Sequence, residues 1–148
     1  MPIKRTGDVN MANEAVIVEL LGNKGDPIRF TIADNTAGND TAKGTIMELL
    51  DNRTVQAVSA ADVPVVGILA EEKVGGDGQT SVGVFTNGIF QLTATTTQLE
   101  IGDTVKPADG ANKVMLAASL DDEKGFTLGY ALETTAPDAT GMVRVVGK

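Results

Sequence analysis

Glycine, asparagine and aspartate residues divide this chain into short apolar stretches, at intervals of about ten residues. In the clearest stretch Ile28, Phe30 and Ile32 alternate with polar residues. Strict alternation is typical of a strand with one buried face. No segment longer than about ten residues shows a helical period. Regular short strands between turn residues predict an all-β fold, a small β-barrel or β-sandwich with an extended N-terminal arm.

Further strands follow from the apolar runs between the turns. Residues 44–51 are compatible with a helical turn or a strand, and we favour a hairpin with residues 53–58. Asn87-Gly88 is predicted to form a tight hairpin turn, because both residue types tolerate positive φ. One helical turn is predicted within residues 118–124. The remaining predicted strands are residues 65–70 (a central strand), 81–85, 88–93, 102–107, 113–117, 126–133 and 142–146.

The core must be aliphatic, because aromatic residues make up only 3% of the chain and Trp is absent. Short branched side chains suit a thin sandwich or a small barrel. The apolar faces of the clearest strands give the predicted core. Its members are Val66, Ile68, Val82, Val84, Ile89, Leu128 and Val145.

The length of 148 residues fits one domain with an arm. We assign residues 1–27 to an N-terminal arm and first extended segment and residues 28–148 to the β domain, and no internal repeat is evident. The arm is mildly basic, because Lys4 and Arg5 outnumber Asp8. We predict that Ile3, Lys4 and Arg5 bind an acidic groove of a partner; a tail without function is the equally weighted alternative.

The net charge of −8 argues against nucleic acid and anionic membranes as partners, because both are bound through basic faces. The acidity is expected to keep a β protein dispersed. The N-terminal residues lack the apolar stretch of a signal peptide, which predicts synthesis in a cytoplasm.

Histidine and cysteine are both absent, which removes Ser-His-Asp and Cys-His catalysis and the usual zinc sites. We therefore expect no enzyme activity, no metal and no cofactor. Acidic pairs such as Glu71-Glu72 point to opposite faces of a strand. One set of oxygen ligands is compatible with Ca²⁺ but lacks EF-hand spacing, so an ordinary turn is favoured. That set is Asp34, Asn35, Asn39 and Asp40.

The order of the strands over about residues 28–148 resembles the head decoration, or capsid cement, proteins of tailed phages and prophages. A strand with Gly-Ile-Leu-Ala precedes a Val-Phe-Thr-Asn-Gly-Ile-Phe segment, and Gly-Asp-Thr-Val and Leu-Gly-Tyr-Ala-Leu-Glu strands follow. The matching segments are Asp62-Val-Pro-Val-Val-Gly-Ile-Leu-Ala-Glu-Glu-Lys, Thr80-Ser-Val-Gly-Val-Phe-Thr-Asn-Gly-Ile-Phe-Gln-Leu, Ile101-Gly-Asp-Thr-Val-Lys-Pro, Leu128-Gly-Tyr-Ala-Leu-Glu and Val143-Arg-Val-Val.

This resemblance implies a structural virion protein that binds the major capsid protein on the capsid exterior and stabilises the shell, as a homotrimer made in the host cytoplasm. Residues 1–27 depart from the family pattern. Two other classes stay open: another virion or appendage component, such as a tail or fibre β domain, and a cellular ligand-binding β module. The single Tyr and absent Trp count against a sugar-binding module.

Overall fold

The computed structural model describes residues 25–108, 112–118, 121 and 124–146. Within these residues every regular element is a strand, which confirms the all-β fold predicted from the spacing of turns. The ten strands are β1 Ile28–Ile32, β2 Ile46–Asp51, β3 Thr54–Ala57, β4 Val65–Leu69, β5 Ser81–Phe85, β6 Gly88–Ala94, β7 Thr104–Pro107, β8 Lys113–Leu116, β9 Gly129–Ala131 and β10 Thr140–Val145.

The strands form two closed barrels that follow one another along the chain. Barrel 1 contains β1 to β5 in the order β1-β3-β2-β4-β5, and barrel 2 contains β6 to β10 in the order β6-β8-β7-β9-β10. In each barrel the first and third strands pair in parallel and every other pair is antiparallel. The predicted β domain thus consists of two barrels of identical topology.

The match between the barrels extends to their loops. In barrel 1 an isolated bridge joins Thr41, between the first two strands, to Lys73, after the fourth. In barrel 2 Leu99 and Thr135 form the same bridge at the same two places. The two barrels therefore repeat one topology, although no internal repeat is evident in the sequence.

Two glycines allow the fourth and fifth strands to close each barrel. A Cβ on Gly67 would lie 2.0 Å from the carbonyl oxygen of Phe85, and one on Gly129 would lie 1.7 Å from that of Arg144. No side chain fits at such distances. The fifth strand therefore crosses the fourth at backbone contact in both barrels.

The interior follows the alternation of the strands, with one cluster inside barrel 1. A second cluster fills barrel 2 and also includes Ile46 and Ile68, which point out of barrel 1. The barrels are therefore joined through shared apolar burial. The barrel 1 cluster contains Ile32, Met47, Val55, Leu69, Val82 and Val84, and the barrel 2 cluster adds Leu92, Ala94, Leu99, Val105, Val114, Leu128, Ala131, Val143 and Val145.

Five of the seven predicted core residues are buried: Ile68, Val82, Val84, Leu128 and Val145. Val66 is partly buried and packs against the barrel 1 cluster. Ile89 is a correction, because 59% of it is exposed. Alternation in β6 places Leu92 and Ala94 inside barrel 2, which turns Ile89 outward.

The predicted hairpin between residues 44–51 and 53–58 is confirmed, because β2 and β3 pair in antiparallel orientation. The predicted hairpin at Asn87-Gly88 is wrong, because β5 pairs with β1 and β4 whereas β6 pairs with β8 and β10. Thr86 and Asn87 connect the two barrels instead. The helical turn predicted within residues 118–124 falls largely outside the described residues.

Candidate interaction surface

The predicted site residues lie in two places. Ile3, Lys4 and Arg5 are outside the described residues. Asn87 and Gly88 lie at the crossing from barrel 1 to barrel 2, where Phe85 and Phe90 flank them with ring centroids 5.8 Å apart. A Cβ at Gly88 would approach the Phe90 ring at 2.9 Å. Gly88 thus makes room for this aromatic pair at the start of β6.

The contact between the barrels is built on one row of barrel 1, which we call the inner row. It consists of Ile46, Ile68 and Phe85, which are neighbours across β2, β4 and β5. Asn112, in the β7–β8 connection of barrel 2, accepts the N–H of Ile46 at 2.8 Å with its side-chain oxygen. The backbone N–H of Val65 donates to the carbonyl of Gly125 at 3.0 Å. A loop edge of barrel 2 therefore covers the inner row.

An ion pair closes the side of this contact. The Lys106 ammonium lies 2.8 Å from Asp62 of barrel 1 and 2.9 Å from Asp121 of barrel 2. The hydrogen bonds that Lys106 donates to Asp62, first, and to Asp121 raise the pKa of Lys106. The hydrogen bond from Lys106 in turn lowers the pKa of Asp121. Two carboxylates, one from each barrel, surround the largely buried ammonium of Lys106 and hold the barrels in one orientation.

The chain also buries a lysine. Lys73 is 1% exposed, and its ammonium donates to the Asn35 side-chain oxygen at 2.5 Å, the Val74 carbonyl at 2.6 Å and Asp77 at 2.6 Å. Three acceptors match the three N–H groups of an ammonium. The hydrogen bond with Lys73 is the largest cause that lowers the pKa of Asp77. This arrangement ties two loops of barrel 1 together.

The oxygen-rich set considered for Ca²⁺ forms a turn. Asp34 accepts the backbone N–H of Thr36 at 2.8 Å and the side-chain amide of Asn39 at 3.0 Å. A hydrogen bond from the Thr36 side chain, first, and then these two hydrogen bonds lower the pKa of Asp34. Asn35 holds Lys73, and the Asp40 carboxylate accepts the N–H of Gly75 at 2.8 Å. The carboxylates are thus engaged in closing the loop, as an Asx turn does.

An open depression of about 140 Å³ lies in barrel 1, lined by Ile32, Asp34, Thr41, Gln56 and Ala57. Ligand pockets usually span about 300–1,000 Å³. The described residues contain no group of three or more acidic, His or Cys side chains placed to hold a metal.

Barrel 2 exposes a row at the place that corresponds to the inner row. Thr104 pairs with Tyr130, Tyr130 with Arg144, and Arg144 with Ile89. We call these four residues the outer row. Tyr130 is 42% exposed and Ile89 59%, and Met142 on the adjacent register is 40% exposed. Tyr, Arg and Met are enriched in protein–protein contacts.

Only the tertiary structure makes the outer row visible, because its members are distant in the sequence and alternate with core residues. One signal of the matching topology does exist in the sequence. Gly67 and Gly129 each precede a Glu by four residues. Glu71 accepts the N–H of Gly83 at 2.9 Å, and Glu133 accepts that of Met142 at 3.0 Å. Both hydrogen bonds bind the fifth strand of a barrel.

The described part of the chain contains no helix with the length and hydropathy needed to traverse a bilayer. No protein-family model matches the chain, and no curated protein matches it significantly. The function is therefore inferred from the fold, the surface and the resemblance of the strand order.

Proposed function

We propose that this chain is a structural protein of a phage or prophage virion that binds the major capsid protein on the outside of the assembled shell and stabilises it. The observation that carries the proposal is a surface of two joined barrels that exposes large apolar side chains outside the outer row, such as Ile101 at 69% and Leu116 at 47%. The strand order of the chain resembles that of the decoration proteins, and on this resemblance we propose the capsid as the partner.

The chemistry of the described residues favours binding over catalysis. The buried lysine donates all its hydrogen bonds, and each carboxylate of the Asp34 to Asp40 loop accepts at least one. The described residues contain no buried side-chain nitrogen or oxygen that lacks a hydrogen-bond partner. Reactive sites commonly contain polar groups held in perturbed or incomplete environments. We therefore assign the contact with a partner to the surfaces of the barrels.

The lattice of a capsid suits a protein with modest contacts. A capsid presents the same site many times with fixed spacing, so a symmetric oligomer that engages several sites at once gains avidity without a large interface. We propose a homotrimer on the shell. The charge of −8 disfavours non-specific aggregation of free subunits.

The direct test is co-sedimentation of the purified protein with empty capsids of the phage or prophage that encodes it. We expect saturable binding at a fixed ratio to the capsid protein, and a higher temperature of capsid disruption for decorated shells. The control is the same capsid with an unrelated acidic β protein. Absence of binding at saturating concentration would contradict the proposal; binding to tails alone would assign the protein to an appendage.

The arm has its own test. We propose that Ile3, Lys4 and Arg5 strengthen attachment through charge-assisted hydrogen bonds to an acidic groove. Deletion of residues 2–10 is expected to weaken capsid binding and to reduce its dependence on salt. The control variant replaces Lys4 and Arg5 with Gln and keeps the length. Unchanged affinity and salt dependence for the deletion would leave all contacts to the barrels.

A further inference from the structure

We infer that the outer row of barrel 2 is the docking site for a second copy of this chain, which covers it with the β2–β3 connection of its barrel 1. The contact would repeat between two chains the contact that barrel 2 makes with barrel 1 inside one chain. The inference deepens the self-association in the proposed function and does not require that the partner is a capsid.

The first step is the equivalence of the two rows. Ile46 pairs with Ile68 and Ile68 with Phe85 in barrel 1, as Thr104 pairs with Tyr130 and Tyr130 with Arg144 in barrel 2. The inner row is covered, with Ile46 fully buried and Ile68 2% exposed. The outer row has no described segment over Tyr130 or Ile89. Within the described part of the chain, one of two equivalent surfaces is therefore covered and the other is not.

The second step identifies the occupant. The inner row is covered by the β7–β8 connection, through the hydrogen bond from Ile46 to Asn112. The equivalent connection of barrel 1 joins β2 to β3 and contains Arg53, which has the same left-handed backbone as Asn112, with φ of 46° and 52°. Leu50 beside it is 55% exposed and Leu49 40%, whereas Pro107 and Ala108 at the corresponding positions are buried. The β7–β8 connection that covers the inner row thus has a counterpart in the β2–β3 connection. Beside that counterpart, the end of β2 exposes two apolar side chains.

The third step is the chemistry of the exposed row. A permanently covered row consists of Ile, Ile and Phe, whereas the open row consists of Thr, Tyr and Arg with Ile89 beside them. Tyr and Arg tolerate water in the free subunit and dominate binding energy once enclosed. Arg144 supplies a cation to the row, and Asp51 supplies an exposed carboxylate to the β2–β3 connection. These properties suit a reversible contact between copies.

The contact is heterologous, because the two surfaces differ and each chain has one of each. Such contacts close into rings when the rotation permits and otherwise extend as filaments. A closed ring of three copies would give the proposed trimer.

Sedimentation equilibrium of the full chain from about 10 µM to about 1 mM is the test, a range that covers weak contacts between copies. We expect concentration-dependent association of the wild type. Tyr130→Asp and Leu50→Asp should each raise the dissociation constant about 30-fold or more, as changes at the centre of an interface do. Val74→Asp, at an exposed residue of a different loop, is the matched control and should associate as the wild type does.

Mixing the two variants distinguishes a head-to-tail contact from a symmetric one. Each variant retains one intact surface, so an equimolar mixture should form dimers but nothing larger. A wild type that remains monomeric to about 1 mM, a Leu50→Asp variant that associates normally, or a mixture without dimers would each overturn the inference. Tyr130→Asp could also leave the sedimentation mass equal to that of the wild type while making residues 1–24 susceptible to protease. In that case the chain's own first segment covers the row and the inference is wrong.

The same variants separate this inference from the proposed function. A monomeric protein that binds capsids would refute the docking site and leave the decoration role in place. A protein that associates head to tail but binds no capsid would refute decoration and leave the docking site in place.

Discussion

At the scale of single residues, Lys73 illustrates how a charge is enclosed in a small barrel. Its ammonium has three oxygen partners, so its burial leaves no donor unsatisfied. Replacing it removes a long buried side chain and its ion pair with Asp77. The Asn35 oxygen and the Val74 carbonyl lose their shorter hydrogen bonds and keep only those from the N–H groups of Gly76 at 3.2 Å and Asp77 at 3.4 Å.

We therefore expect Lys73→Ala to lower the free energy of unfolding by about 2–5 kcal/mol, from lost packing and lost hydrogen bonds together. The measurement is urea unfolding followed by circular dichroism. Lys43→Ala is the control, because Lys43 is exposed, and it should change stability by less than about 0.5 kcal/mol. Equal effects of the two substitutions would contradict the role assigned to Lys73.

The pair between Lys106 and Asp121 makes stability depend on acid. The hydrogen bond from Lys106 lowers the pKa of Asp121 below its ordinary value of 3.8. A lowered folded-state pKa stabilises the fold above the unfolded pKa, and this contribution is lost as the pH falls through the folded pKa. The loss therefore occurs below about pH 4.

We expect Asp121→Asn to decrease the loss of stability between about pH 4 and pH 2 relative to the wild type. Thermal unfolding across that pH range measures the effect. In a Lys106→Gln background the same substitution should change the loss of stability at low pH much less, because the largest cause of the lowered Asp121 pKa has been removed. A full effect in that background would assign the shift to another partner.

Ile68 and Ile89 provide a matched comparison of burial. Ile68 is 2% exposed and lies in the shared core, whereas Ile89 is 59% exposed. Ile68→Ala should cost about 2–5 kcal/mol, and Ile89→Ala less than about 0.5 kcal/mol. Chemical unfolding of both variants checks the difference. A large cost at Ile89 in the monomer would place it in a core that the structure does not contain.

At the scale of elements, the glycines in β4 and β9 determine how closely the fourth and fifth strands approach. A methyl group at Gly129 would meet the Arg144 carbonyl oxygen at 1.7 Å, so the strands would have to separate. The cost cannot be relieved by a side-chain rotation, because the obstacle is backbone.

We expect Gly129→Ala to destabilise the protein more than Gly102→Ala. Gly102 has φ of 88° and open space around it, so its substitution costs about 1–2 kcal/mol from backbone strain alone. Melting temperatures of the two variants measure the order. The reverse order would mean that β9 and β10 do not cross at backbone contact.

At the scale of the whole molecule, one cluster of side chains belongs to both barrels. Ile46 and Ile68 of barrel 1 complete the core of barrel 2, and Asn112 satisfies a buried N–H across the contact. The barrels are therefore expected to unfold together in a single cooperative transition, since neither core is complete without the other.

We expect Asn112→Ala to cost about 1–3 kcal/mol, because it leaves the N–H of Ile46 buried and unpaired. Asn52→Ala, in the exposed β2–β3 connection, is the control and should have little effect. Differential scanning calorimetry measures both stability and cooperativity. Two separate transitions in the wild type would contradict the shared core.

The sequence by itself determined the class of fold and the positions of most strands. Alternation at Ile28, Phe30 and Ile32 and regular turn residues reflect local chemistry, so they are readable without any tertiary information. The same reasoning correctly predicted the β2–β3 hairpin, because its two strands are close along the chain.

The tertiary structure alone decided which strands pair, and therefore where the barrels divide. Asn87-Gly88 has the local chemistry of a hairpin turn, but β5 pairs with β1 and β4 in barrel 1, whereas β6 pairs with β8 and β10 in barrel 2. Ile89 has the apolarity of a core residue, but the register of β6 against β10 turns it outward. Pairing and register depend on contacts between residues far apart in the chain, which a local pattern does not encode. The outer row exists only through those contacts, because its four residues come from four different strands.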